Sequence, residues 1–142
     1  MSQLLHLFRG SVVLPSPLLT PVALPERIVC PTNSPERLLL TAIFSPQGTP
    51  DPACVITAYV QTQLGEGQFF DIAAFSFAAT GETRSFNLSA SAPITTATQL
   101  LKNALPPGTS VNGVLGRQYS CIVLVTGGYP AGSELEISGQ FA

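Results

Sequence analysis

Short apolar stretches separated by turn-forming residues recur along most of this chain. The last stretch shows the pattern most clearly, because Leu135, Ile137 and Phe141 alternate with glutamate, serine and glutamine. A period of two is typical of a strand with one buried face. Similar or continuous apolar runs occur in RLLLTAIFS (37–45), ACVITAYVQTQ (53–63), QFFDIAAFSF (68–77), RSFNLS (84–89) and YSCIVLVTG (119–127). These runs predict an all-β fold, either an antiparallel β-sandwich or a jelly roll.

The segment VQTQLGEGQFFDIAAFSF, residues 60–77, is interpreted as two strands joined at Gly65-Glu66-Gly67. Glycines favour a hairpin tip because they accept positive φ at little steric cost. A phosphate-binding loop would need a lysine and the start of a helix directly afterwards, and neither follows. We therefore predict a hairpin tip at the glycines.

The second strand of this hairpin changes its alternation partway along. Phe70 and Ile72 share one phase, whereas Phe75 and Phe77 share the other. A period of two permits such a shift only if one residue bulges, so we predict a β-bulge near Ala73-Ala74.

Only the segment TTATQLLKNAL, residues 95–105, is compatible with a helical turn or two. Pro106-Pro107 would end such a helix, because proline lacks the N–H that an interior helical position needs. Any helical turn in this otherwise all-β chain would therefore lie within residues 95–105.

The first 35 residues contain six prolines, at positions 15, 17, 21, 25, 31 and 35. Each proline fixes φ and removes a ladder donor, which excludes a long helix or a central strand. The segment is also too apolar for a disordered tail. We therefore expect residues 1–35 to form an extended arm, laid over its own domain or a neighbour, and residues 36–142 to form the β-sandwich domain. The side chains expected at an interface are Leu4, Leu5, Leu7, Phe8, Val12, Val13 and Leu14.

Charge is sparse in this chain: 10% of its residues are charged, against about 25% in a typical soluble domain. Either other subunits cover part of the surface, which we favour, or Ser, Thr and Gln make it polar. The basic residues are scattered and the net charge is −2, which argues against nucleic-acid binding. We also expect no membrane partner and no secretory signal, since the apolar runs are short and the N-terminus lacks a basic region.

Few side chains suit catalysis. His6, the single histidine, has no acid near it in the sequence to orient it as a base. Glu134 and Glu136 are expected on the solvent-facing side of one strand, where acids usually aid solubility. We therefore expect no enzymatic activity and no cofactor.

The three cysteines, Cys30, Cys54 and Cys121, are odd in number and lack C-x-x-C spacing. This argues against a zinc site and against a disulfide framework. Cys54 and Cys121 lie in strand-like runs and are expected to be buried thiols. A single Cys30–Cys54 bridge stays open as an alternative.

The stretch AYVQTQLGEGQFFDIAAFSFAATGETRSFNLSA resembles a segment of small virion proteins of tailed bacteriophages and prophages. In that family a strand ending in Q-T-S and an Asp-Gly-Gly-type turn precede an aromatic residue, D-I-A and an F-x-F strand. The matching positions are Gln61-Thr62, Asp71-Ile72-Ala73, Phe75, Phe77, Val114-Leu115-Gly116 and the ending TGGYPAGSELEISG. The chain departs from the pattern at its Leu64–Gly67 turn and at Phe69-Phe70, where a Trp is common. The resemblance covers roughly residues 55 to 142.

The resemblance implies a β-sandwich that is part of a phage particle. We therefore expect a structural virion protein, assembled in the host cytoplasm, that decorates the outer capsid surface like a cement. Its expected partners are copies of itself, with a trimer favoured, and the major capsid protein. One alternative is a tail, adaptor or connector component. Another is a non-catalytic glycan or host-surface binding module, which predicts Tyr59, Tyr119 or Tyr129 exposed together on one face.

Overall fold

The structure is a computed structural model that describes residues 3–12, 18–29, 36–65, 67–91, 94–116 and 118–141. Within these ranges the chain forms eight β-strands and no helix, so nothing there could cross a membrane as a helix. The strands are β1 (Gln3–Ser11), β2 (Leu18–Val29), β3 (Arg37–Ser45), β4 (Val55–Leu64), β5 (Gln68–Phe77), β6 (Glu82–Ser89), β7 (Gln118–Gly127) and β8 (Glu134–Phe141).

The strands form two antiparallel sheets of four strands each. The first sheet has the order β1-β8-β3-β6 and the second sheet has the order β2-β7-β4-β5. Along the sequence the chain is one long hairpin, in which β4 pairs with β5, β3 with β6, β2 with β7 and β1 with β8. Pairing of β3 with β8 and of β4 with β7 rolls this hairpin into two layers. The all-β sandwich predicted from the sequence is thus confirmed, with the strand arrangement of an eight-stranded jelly roll.

Gly65 and Gly67 lie at the tip of the long hairpin. β4 ends at Leu64 and β5 begins at Gln68. Gly65 and Gly67 have φ values of 65° and 70°, a conformation that side chains with a Cβ rarely adopt. The predicted hairpin tip is confirmed, and backbone conformation alone accounts for both glycines.

A β-bulge interrupts the pairing of β4 with β5. Val60 pairs with Ala73, whereas Gln61 pairs with Asp71, so Ile72 is the extra residue. The bulge predicted near Ala73-Ala74 is therefore confirmed, and it lies at Ile72, one residue before the predicted pair. It brings Ile72 and Ala73 together into the core and leaves Asp71 on the opposite face, beside Gln61.

The N-terminal segment supplies the edge strand of each sheet. Within the described sheets, β1 pairs with β8 alone and β2 with β7 alone. An edge position suits β2 because it contains Pro21 and Pro25, which cannot donate to a ladder. The described part of the expected arm is thus extended and lies on its own domain. Residues 1, 2, 13–17 and 30–35 lie outside the described residues.

The hydrophobic core lies between the two sheets and consists of alternate residues of the strands. Phe44 packs edge-on against Tyr129, with ring centroids 5.4 Å apart, and Tyr119 packs against Phe141 at 5.2 Å. The fully buried aliphatic side chains include Leu38, Leu40, Ile56, Val60, Leu135 and Ile137. Burial of each such side chain contributes about 1.5–3 kcal/mol, so this layer dominates the stability of the fold.

The connection from β6 to β7 is irregular in its described residues, so residues 95–105 do not form the helical turn that their sequence would allow. The carboxylate of Asp71 explains the difference. It accepts the backbone N–H groups of Asn103, Ala104 and Leu105 at 2.9–3.0 Å, which withdraws these amides from helical hydrogen bonding. Leu105 then packs into a second, smaller core on the outside of the second sheet.

Candidate assembly surface

The outward-facing side of the first sheet carries a group of neighbouring side chains without charge. Leu39, Thr41 and Ile43 of β3 lie at its centre, since alternate residues of β3 face the core. Cross-strand partners lie on the same face of a sheet. The uncharged partners of these residues are Thr83, Ser85 and Asn87 on β6, and Ser138 and Gln140 on β8. These residues of β3, β6 and β8 are termed the outer face below.

Two large aliphatic side chains are exposed on the outer face. Leu39 is 40% exposed and Ile43 is 42% exposed, and their partners on β6 are hydroxyl and amide side chains. Protein interfaces typically combine a centre depleted of charge with a polar rim. The centre of the outer face is likewise free of charged side chains.

Charged side chains border the outer face on the side of β1 and β8. Glu136 is the cross-strand partner of Ile43 on one side and of Arg9 on the other. Its carboxylate lies 3.5 Å from Nδ1 of His6, and the two side chains are 37% and 53% exposed. Solvent screens an ion pair this exposed, so it contributes little to stability. It does place charged groups along one side of the uncharged centre.

The structure describes the side chains of three of the seven interface residues expected from the sequence, and these three do not belong to the outer face. Leu7, Phe8 and Val12 are buried in the core of their own subunit. The register of β1 against β8 shifts between His6 and Phe8, so Leu7 is an extra residue and both Leu7 and Phe8 point inward. Of the remaining expected residues, Val13 and Leu14 lie outside the described residues, as do the side chains of Leu4 and Leu5.

Leu39 and Ile43 could be recognised in the sequence by a feature other than simple alternation. In RLLLTAIFS apolar residues occupy both phases of the strand. A strand of an antiparallel sheet with one solvated face needs apolar residues in only one phase. The second apolar phase therefore marks a strand whose outward side is suited to contact with another surface.

The candidate metal-binding and catalytic side chains lie apart or on the surface in the described part of the chain. No group of three His, Cys, Asp or Glu side chains there could hold a metal ion. The fold does bring an acid to His6, but both His6 and Glu136 lie exposed on the sheet surface. Cys54 is a free buried thiol and Cys121 is buried, as predicted, whereas Cys30 lies outside the described residues.

The three tyrosines are buried, at 8% exposure for Tyr59, 0% for Tyr119 and 5% for Tyr129. Burial, followed by the neighbouring Cys54, raises the pKa of Tyr129. Burial, followed by the charge of Asp71, raises the pKa of Tyr59. A sugar-stacking platform needs exposed aromatic rings, and these tyrosines do not provide them.

Asp71 is a buried carboxylate with a structural role. It is 1% exposed, and besides the three backbone N–H groups it accepts a hydrogen bond from Nε2 of Gln61 at 2.8 Å. The same Gln61 amide donates to Oδ1 of Asn103 at 2.8 Å. Four donors around one carboxylate satisfy its hydrogen-bonding capacity, as a buried charge requires. Asp71 therefore anchors the β6–β7 connection to the central hairpin.

A groove of about 300 Å³ opens beside β6. Its apolar part contains the rings of Phe75 and Phe86, whose centroids are 4.9 Å apart. At one end the guanidinium of Arg84 lies 5.6 Å from the centroid of Phe77. The remaining lining residues are Ala74, Ser85 and Gly108. The groove thus runs between an edge of the first sheet and the β6–β7 connection.

Because comparison with known proteins finds no match, any functional assignment must rest on the fold and on these surfaces. No protein-family model, curated protein or solved structure matches the chain.

Proposed function

We propose that this chain is a structural virion protein of a tailed phage that binds the outer surface of the capsid and stabilises contacts between capsomers. The observation that carries the proposal is the outer face, on which Leu39 and Ile43 are exposed beside uncharged partners on β6, with Glu136 of β8 at its border. A subunit that decorates a shell needs such a surface, since burial against the capsid would remove both side chains from water.

The strand order supports this proposal by analogy. Eight-stranded jelly rolls are common in viral capsid proteins, in lectins and in cupins. Cupin chemistry needs metal-binding side chains, which do not cluster in the described part of this chain. A lectin that stacks sugars on tyrosine needs exposed rings, whereas Tyr59, Tyr119 and Tyr129 are buried. An assembly role is the use of this fold that agrees best with its side chains.

The mechanism involves no covalent chemistry. Only about two-fifths of each side chain is still exposed, so burial of Leu39 and Ile43 would contribute about 1 kcal/mol each before the cost of association. Such a contact is weak for one subunit, but a homo-oligomer presents several copies of the outer face to a repeating surface. Each bound copy raises the effective concentration for the next, so the assembly binds tightly through modest contacts. The major capsid protein is the expected partner because it supplies that repeating surface.

Counting subunits in purified virions tests the proposal. Particles from the host that carries the gene would be analysed by quantitative mass spectrometry, with the major capsid protein as the internal standard. We expect copies of the chain in numbers comparable to those of the capsid subunit. A few copies per particle would assign the chain to the tail, adaptor or connector, and its absence from particles would overturn a virion role.

A further inference from the structure

The outward edge of β6 carries hydrogen-bonding groups without a partner among the described residues. The N–H of Ser89 donates to Oδ1 of Asn112 and its C=O accepts from Gly113, so the main chain of Ser89 points away from β3. This direction alternates from residue to residue in an antiparallel pair. The N–H and C=O groups of Thr83, Ser85 and Asn87 therefore also point away from β3, toward a free edge.

The neighbouring edge of the second sheet is covered by the chain itself. The N–H of Ala74 donates to the carbonyl of Thr109 at 3.0 Å, and the N–H of Gly108 donates back to Ala74 at 2.8 Å. Further along, the N–H of Val111 donates to the carbonyl of Ile72 at 2.8 Å. The β6–β7 connection thus protects β5 but leaves β6 open as far as Ser89. An open edge is a template for pairing with another chain.

We propose that β6 pairs with β6 of a second copy of this chain, antiparallel about a two-fold axis at Ser85. The two first sheets would then form one continuous sheet. In an antiparallel ladder, hydrogen-bonded and non-hydrogen-bonded residue pairs alternate. If the two-fold axis passed between two residues, two adjacent pairs would be related by symmetry and would have to be of the same kind, which the alternation forbids. The axis must therefore pass through a residue that lies opposite its own copy. Ser85 is the central residue of the free edge, so this register uses the edge fully. It places Thr83 opposite Asn87 of the partner subunit.

The side chains of β6 suit this self-pairing. On the outer face the opposed side chains are serine with serine and threonine with asparagine, all short and uncharged. On the other face Arg84 would lie opposite Phe86 of the partner subunit, a favourable cation–π pair that extends over the groove. Charges on an edge strand often prevent pairing. Here Arg84 forms an ion pair with Glu82 of its own strand, so the two charges neutralise each other.

This contact is independent of the capsid role, because purified protein alone tests it. It goes beyond the proposed function by naming the residues through which two copies meet. A two-fold contact gives a dimer, whereas the sequence led us to expect a trimer, so the mass in solution discriminates between the two.

Disulfide trapping tests the register. Opposed Cα atoms in a hydrogen-bonded antiparallel pair are about 5.5 Å apart, which a disulfide can span. In a Cys30→Ser background, the Ser85→Cys chain should form a covalent dimer on mild oxidation. The matched control is Thr83→Cys, exposed on the same strand but facing Asn87 of the partner subunit, which should not cross-link. The double variant Thr83→Cys/Asn87→Cys should cross-link again.

Sedimentation of the full chain over a range of concentrations tests the assembly itself. We expect a dimer, and we expect Ser85→Pro to weaken it about tenfold or more by removing a central donor. That N–H points away from β3, so the proline removes no bond within the subunit; circular dichroism checks the fold. If Ser85→Pro unfolds, the trapping result decides. A monomer at every concentration, or a trimer in which Ser85→Cys does not cross-link, overturns the proposal.

Discussion

Asp71 illustrates how a single buried carboxylate directs the course of a long connection. Its oxygens bind three consecutive backbone N–H groups, at residues 103–105, together with the amide of Gln61. Hydrogen bonds to a charged acceptor are stronger than those between neutral groups. The connection therefore folds over the second sheet and covers the edge of β5, whereas it leaves the edge of β6 open as far as Ser89.

Replacing Asp71 with asparagine should lower the free energy of unfolding by about 2–3 kcal/mol. The amide places an NH₂ group where donors already converge, so at least one backbone N–H loses its acceptor inside the protein. Urea denaturation followed by circular dichroism measures the change. Asp51→Asn is the matched control, because Asp51 is exposed and accepts the N–H of Ala53 near the surface. If the two substitutions lowered the free energy of unfolding equally, the hydrogen bonds of Asp71 would contribute no more to stability than those of an exposed aspartate.

The strands show how far the sequence predicts this fold. RLLLTAIFS and QFFDIAAFSF coincide with β3 and β5, because short apolar runs bounded by turn-forming residues indicate strands. The sequence also indicates the bulge, since Ile72 and Phe75 cannot share a face without an extra residue. It does not reveal that β1 pairs with β8, because those partners are distant in the chain and no local pattern encodes their register. The prolines of β2 also argue against a strand at the level of sequence, because proline cannot donate to a ladder.

The outer face could not be predicted for the same reason. Leu39, Ser85 and Gln140 come from three strands that are far apart in the sequence, and only the sheet order makes them neighbours. The sequence instead directed attention to the apolar N-terminal segment, because an apolar segment between prolines resembles an arm. In the structure Leu7 of that segment belongs to the core and packs close to Gly139. A Cβ atom at position 139 would lie 3.3 Å from a methyl group of Leu7, so the glycine makes room for it.

If β1 is an integral strand, Leu7→Ala should lower the free energy of unfolding by about 2–5 kcal/mol, as expected for a buried leucine. Arg9→Ala is the matched control on the same strand, since Arg9 is exposed, and its effect should stay within about 0.5 kcal/mol. Denaturant titration of the purified proteins provides both values. A Leu7→Ala protein as stable as the parent would mean that β1 does not pack on this core.

At the scale of the whole molecule, one long hairpin accounts for both the fold and its exposed surfaces. The strands pair outward from the Gly-Glu-Gly tip, and rolling the hairpin places β3 in the interior of the first sheet and β6 at its edge. The outward side of β3 and the free edge of β6 consequently adjoin. The first could contact a capsid while the second contacts another copy of the chain, so the two proposed contacts are compatible.

The outer face is tested by the double substitution Leu39→Thr/Ile43→Thr. Both side chains are exposed and threonine suits a strand, so the free energy of unfolding should change by no more than about 0.5 kcal/mol per substitution. Pairing through β6 should persist, whereas the number of copies bound per particle should fall about tenfold or more, since the apolar centre of the contact is lost. Val55→Thr is the matched control, because Val55 is 41% exposed on the second sheet. Full occupancy by the double variant would exclude the outer face as the capsid contact, and loss of occupancy with Val55→Thr alone would assign that contact to the second sheet.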